Sequence, residues 1–214
     1  MPRPTAWSPE PLERPTVLFV EGSNDLHFFD RALKHLGRRD QVAIRHYDGK
    51  DNLGNSLPAL ALESGFGTHV KRLVIVRDAD DSAQGAFQAI TAAIQAMKWT
   101  APPAHKAWTP AHPGLQVSGY VLPDGRSQGE LETLLHQALV TPKVAGCIDA
   151  FLACARQNGA PVPRDHQESK HRFFATLSTL AKPTNLFGIL ADVEGDSFWA
   201  SSVFAELLEF LRSI

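Results

Sequence analysis

The stretch Leu73-Val74-Ile75-Val76-Arg77-Asp78-Ala79-Asp80-Asp81 decides the fold. Its first half is a short run of mostly branched apolar residues, the pattern of a strand buried on both faces in a parallel sheet. Its second half is acidic. A carboxylate at the end of a buried strand loses solvation and is costly unless something positive sits beside it. Val17-Leu18-Phe19-Val20 followed by Glu21-Gly22 repeats the arrangement. Two strands thus bring carboxylates to one edge of one sheet, and parallel α/β sheets bind ligands beyond the carboxyl ends of their strands.

Outward from these two stretches, strands and helices alternate. Strands are expected at Thr16–Val20, Val42–Tyr47, Lys71–Arg77 and Leu115–Leu122. Helices are expected at Asp25–Leu36, capped by Ser23 or Asn24, then at Leu53–Glu63, Ser82–Met97 and Glu130–Leu139. Gly54 and Pro58 weaken the second of these. Alternation of this kind implies a mostly parallel sheet flanked by helices. Beyond Pro142 no strand pattern remains, and helices are expected near Lys143–Gln157, His166–Leu180 and Phe198–Arg212. The expected layout is an arm over 1–15, an α/β core over 16–140 and a helical extension over 141–214 packed on the core. That extension could cover the site, bind nucleic acid or make a homodimer.

A chain of 214 residues supports one sizeable core. With 43% apolar and 21% charged residues it has the composition of an ordinary globular protein. No run approaches the ~18 apolar residues of a membrane span. The proline-rich start has no apolar core of a secretory signal, which leads to the expectation of a cytoplasmic protein. Cys147 and Cys154 lie seven apart on one expected helix, roughly 10 Å by the helical rise. That is too far for a disulfide, and core positions are expected. A net charge of −2 weighs mildly against a nucleic-acid protein, although a carboxylate cluster lowers net charge wherever the basic residues lie.

The acidic residues are the candidate chemistry. In extended backbone, i and i+2 face the same way, so Asp78 and Asp80 would reach one ion, with Glu21 beside them. Hard oxygen ligands of this kind suit Mg²⁺, or Mn²⁺. Asp25 falls in a first helical turn, where the helix dipole favours it, and is also placed to point back at the ion. Glu130 and Glu132 follow the fourth strand and would hold a second metal or wall the site. Equally, Ser127 with Glu130 reads as a capping box. Arg164, Lys170 and Arg172 mark a basic helix, either a solvated face or a phosphate contact, and the alternative for Lys170 is to reach the site itself. Trp99 and Trp108, in a long loop, would anchor that loop or stack on single-stranded bases.

Glu21-Gly22 after one strand, with Asp78-Ala79-Asp80 after a later one, resembles the TOPRIM domain of topoisomerases, primases and related nucleases, over about Val17 to Leu139. Glu21-x-x-x-Asp25 and the late Gly129-Glu130-Leu131-Glu132 segment look like small stand-alone TOPRIM proteins. These are similar to the nuclease domain of the overcoming-lysogenization-defect (OLD) family. The resemblance implies a Mg²⁺ site with Asp78 and Asp80 as ligands, and Glu21 as ligand or general acid/base. Asp25, Glu130 and Glu132 are the matching candidates for a second metal. Tyr47 and Tyr120 fall in strands, which speaks against a topoisomerase, and two cysteines make no zinc module. The expectation is a Mg²⁺-dependent nuclease hydrolysing DNA or RNA. The alternatives are a regulatory TOPRIM module that needs a partner, such as a separately encoded ATPase in phage defence, or metal-dependent nucleotide chemistry. The sequence has no Gly-x-x-x-x-Gly-Lys-Ser/Thr loop.

Overall fold

Four strands alternate their side chains between two helical layers. The computed structural model describes residues 12–111, 114–162, 167–180 and 195–214. Strands β1 (Thr16–Val20), β2 (Val42–His46), β3 (Arg72–Asp78) and β4 (Gln116–Leu122) form one parallel sheet in the order β2-β1-β3-β4. Leu18, Val20, Val74, Val76, Tyr120 and Leu122 face one layer. It holds α1 (Ser23–His35), α5 (Leu131–Leu139), α7 (Glu168–Leu177) and α8 (Ala205–Ser213). Val17, Phe19, Leu73, Ile75, Val117 and Val121 face the other, built from α2 (Leu53–Ala61), α3 (Phe66–His69) and α4 (Ala83–Ala96). The period of two along each strand is what sorts these residues. Helix α6 (Pro142–Gln157) packs on α7.

The topology locates the site. From β1 the chain crosses to β2 on one side, then returns to place β3 and β4 on the other. The carboxyl ends of β1 and β3 are therefore where strand order reverses, the crevice at which open α/β sheets bind ligands. Register sets Phe19 opposite Ile75 and Asp78 opposite Leu122, so Glu21 follows β1 at the level where β3 ends.

Several expectations change. Helix α1 begins at Ser23, with Gly22 as its cap rather than Ser23 or Asn24. Asp25 Oδ2 accepts from the Gly22 N–H at 2.9 Å, so the cap is fastened from inside the helix. Ser127 does not cap α5: it binds Asp124 through its N–H and hydroxyl, and Glu130 is the cap residue. The expected last helix is broken. Residues 195–199 are helical, a turn follows, and α8 starts only at Ala205 after the 3₁₀ turn Ser202–Phe204. Cys147 and Cys154 are free and exposed, because α6 turns Ile148 and Leu152, not the cysteines, toward the interior. Both tryptophans anchor their loop: Trp99 stacks on Phe66, and Trp108 stacks on Phe210 with Arg72 over its ring. Tyr47 and Tyr120 are buried, and Tyr47 Oη donates to the Val76 carbonyl at 2.7 Å.

Candidate metal centre

Two elements aim three carboxylates at one point. Asp78 is the last residue of β3, and Glu130 and Glu132 flank the first residue of α5. One ligand oxygen from each lies within 4.8 Å of the others. The loop holding Glu130 is tied to β3 by a two-residue bridge. Asp80 N–H donates to the Gly129 carbonyl at 3.0 Å, and Gly129 N–H to the Asp80 carbonyl at 2.9 Å. Only glycine serves at 129, since its φ is 130° and a Cβ there would stand 2.5 Å from Thr133 Oγ1. The Leu131 N–H then donates to Asp78 Oδ1 at 3.2 Å, so the start of α5 faces the aspartate.

The surrounding pocket, about 230 Å³, is lined by Glu21, Asp25, Asp78, Glu132, Gly49 and Lys170, with the first residues of α1. Glu130 is 1% exposed, and neither of its carboxylate oxygens makes a well-directed hydrogen bond. Its one counter-charge is Lys170 Nζ, 3.2 Å from Oε2. Glu21 Oε2 is likewise buried without a hydrogen-bond partner.

Such crowding acts on the protons. Burial, reinforced by the charges of Asp25, Glu21, Glu132 and Glu130, holds the Asp78 carboxyl well above the usual carboxylate range. Burial pushes Asp25 up to about 7 despite the hydrogen bond from Gly22, with Glu21 adding to it. Burial also pushes Glu132 up to about 7, with Glu130 the repelling neighbour. Glu21 is raised by burial, against the pull of Arg77. Burial disfavours the charge of Lys170, yet Glu130 and Glu132 hold its ammonium above the ordinary lysine range. These carboxylates lack a charge partner of matching strength. Every donor is a hard oxygen, and the three converging carboxylates could hold a divalent cation.

The other candidate residues lie as follows. Asp80 leaves the extended conformation, with φ 47°, because the Gly129 bridge ends the strand pattern after Asp78. Its carboxylate turns to Lys50 Nζ at 2.9 Å and does not join the three converging oxygens. It remains on the rim, close enough for its charge to raise Glu21. Lys170 and Arg172 diverge, since i and i+2 lie on different faces of a helix. Lys170 enters the acidic pocket, whereas Arg172 pairs with Glu168 and Asp149. Arg164 lies outside the described residues. Sequence reasoning overlooked Lys50 and Arg77. The signal available was position, since the Asp48–Asn52 turn follows a parallel strand and so opens on the same edge as Glu21.

The fold and this centre define an α/β protein with a carboxylate site at the switch point of a parallel sheet. The chain belongs to the family described as "Protein of unknown function (DUF3226)", which it matches over residues 15–214. Among solved structures it is similar to the C-terminal region of the Xanthomonas campestris pv. campestris OLD protein. The identity is 15% and the TM-score 0.47, covering 94% of this chain and 95% of that one. The C-terminal region of the Burkholderia pseudomallei OLD protein gives the same identity and TM-score, covering 94% and 98%. No curated protein matches the chain. Among the described residues, no helix is long and apolar enough to cross a membrane.

Proposed function

We propose that this protein is a divalent-metal-dependent phosphodiesterase acting on nucleic acid, with a TOPRIM-type centre. The observation that carries the reading is the convergence of Asp78, Glu130 and Glu132 at the switch point, with Glu130 buried against a lysine that the other carboxylates share. Asp78, Glu130 and Glu132 would hold one Mg²⁺ or Mn²⁺. Glu21, Asp25 and Asp80 surround that position and would serve a second ion or carry a proton. A cation held there supplies polarisation of a phosphoryl oxygen and acidification of water.

The same pocket offers features that favour an anion. The N-termini of α1 and α5 both open on it, and helix N-termini attract phosphate. Lys170 stands at the α5 side with its ammonium against Glu130, placed to neutralise charge on a phosphate lying over the carboxylates. A site suited to both a divalent cation and a phosphate is the requirement of phosphoryl transfer.

The test is cleavage of supercoiled plasmid, single-stranded DNA and RNA with Mg²⁺ or Mn²⁺, the wild type beside Asp78→Ala/Asp80→Ala. Cleavage that needs both metal and aspartates supports the reading and identifies the substrate. Metal binding by calorimetry without cleavage favours a second reading, a module active only with a partner such as a separate ATPase.

A further inference from the structure

Lys50 occupies an unusual position at the rim of the acidic pocket. Its backbone is fixed twice. The preceding Gly49 N–H donates to the Glu21 carbonyl at 2.9 Å, and Arg77 Nη1 donates to the Lys50 carbonyl at 2.7 Å. Its side chain is half exposed and reaches across to Asp80 Oδ2 at 2.9 Å. The root is rigid and the ammonium faces solvent, the arrangement of a residue that meets an incoming anion. Lys170 holds the opposite edge, against Glu130. The two lysines therefore bracket the carboxylates, one on the side of β1 and β3, the other on the side of α5.

We propose that Lys50 is a substrate-positioning residue that contacts the phosphate next to the scissile one on a nucleic-acid strand. This rests on the phosphodiesterase reading. Lys170 sits against the converging carboxylates and serves the scissile phosphate, whereas Lys50 sits at the rim, beyond them. A pocket lined by carboxylates repels a polyanion, and a cation at the strand's entry point offsets that repulsion. The ion pair with Asp80 keeps Lys50 in place without consuming it, since an exposed pair of this kind is worth little. The substrate class that uses such a contact is a strand with several phosphates, not an isolated diester.

The experiment compares wild type, Lys50→Ala and Lys50→Arg on a short single-stranded oligonucleotide and on bis(p-nitrophenyl) phosphate, across a salt series. One phosphate contact on a single strand contributes a slope of about 0.7 in log K against log salt, hence about fivefold at about 0.1 M. Lys50→Ala is expected to raise KM for the oligonucleotide about fivefold and make its salt dependence shallower by about 0.7. Hydrolysis of the small diester changes far less than the oligonucleotide KM, and Lys50→Arg restores the oligonucleotide KM. Equal losses on both substrates would overturn the proposal. So would a changed Mg²⁺ affinity with an unaltered salt slope, which would mean that Lys50 acts only through Asp80. If the wild type cleaves neither substrate, the phosphodiesterase reading fails by itself, and oligonucleotide binding in Mg²⁺ decides on Lys50. The same loss and slope change support the contact; identical binding by wild type and Lys50→Ala excludes it.

Discussion

Glu206 and Glu130 are both carboxylates beside α5, and they are treated in opposite ways. Glu206, a third exposed, is approached by Lys106 at 2.6 Å, Arg126 at 3.6 Å and His105 at 3.8 Å. Burial, with Lys106 adding, lowers the His105 pKa to about 4, so that imidazole is neutral and Lys106 and Arg126 are the two cations facing the glutamate. Glu130, almost wholly buried, shares one half-exposed lysine with a crowd of other carboxylates. The exposed carboxylate has more positive charge than it needs, and the buried one far less. Stability alone would have distributed the cations the other way, since an uncompensated charge is costliest where water is absent. The deficit is one that a cation from solution could meet.

The largest effect that would break this contrast is on activity. Asp78→Ala is expected to lower Mg²⁺-dependent cleavage by more than about a hundredfold, beyond the loss typical of outer-shell changes. The circular dichroism spectrum should stay intact, and Glu206→Ala should cleave nearly as well as wild type. Equal losses in the two variants would erase the distinction. Next comes stabilisation by metal. At about a hundred times its Kd, Mg²⁺ should add about 2.7 kcal/mol, raising Tm by roughly 5–10 °C for a chain of this size. Glu130→Gln should lose most of that rise, and differential scanning fluorimetry reads both.

A smaller effect is that of pH on the metal-free protein. Burial raises Asp25 and Glu132 from the ordinary carboxylate range to about 7. A raised acid stabilises the fold below its unfolded pKa and loses that contribution as pH climbs through the folded value. Metal-free protein should therefore melt higher at pH 5 than at pH 7.5, and saturating Mg²⁺ should flatten the difference, as scanning calorimetry would show. A Tm that rises with pH in metal-free buffer would contradict the crowding. The smallest effect is that of Glu206→Ala on stability, about 0.5–1 kcal/mol at low salt for a partly exposed network, fading in high salt and independent of Mg²⁺.

Much of this was legible in the order of residues. Branched apolar runs identified all four strands, and the acidic residues after β1 and β3 pointed to the sheet edge where carboxylates converge. What escaped depended on contacts between distant parts of the chain. Asp80 departs from the i, i+2 rule because Gly129, far along the sequence, pairs with its backbone. The Ser127 cap failed because Asp124 competed for that serine first. Lys50 was hidden in an ordinary polar turn, and only the packing of Arg77 and Glu21 against that turn distinguishes it. Cys147 and Cys154 show the limit of periodicity: spacing places two residues on one helix face but does not say which face turns inward.

Lys170 reaches the acidic pocket from α7, which packs on α5, where His136 Nδ1 meets Thr176 Oγ1 at 2.7 Å. The carboxylates are complete by residue 132, but their resident cation comes nearly forty residues later. A chain leaving the ribosome therefore displays the acidic residues well before the lysine that completes their surroundings. Completion of the pocket is therefore tied to the arrival of α7.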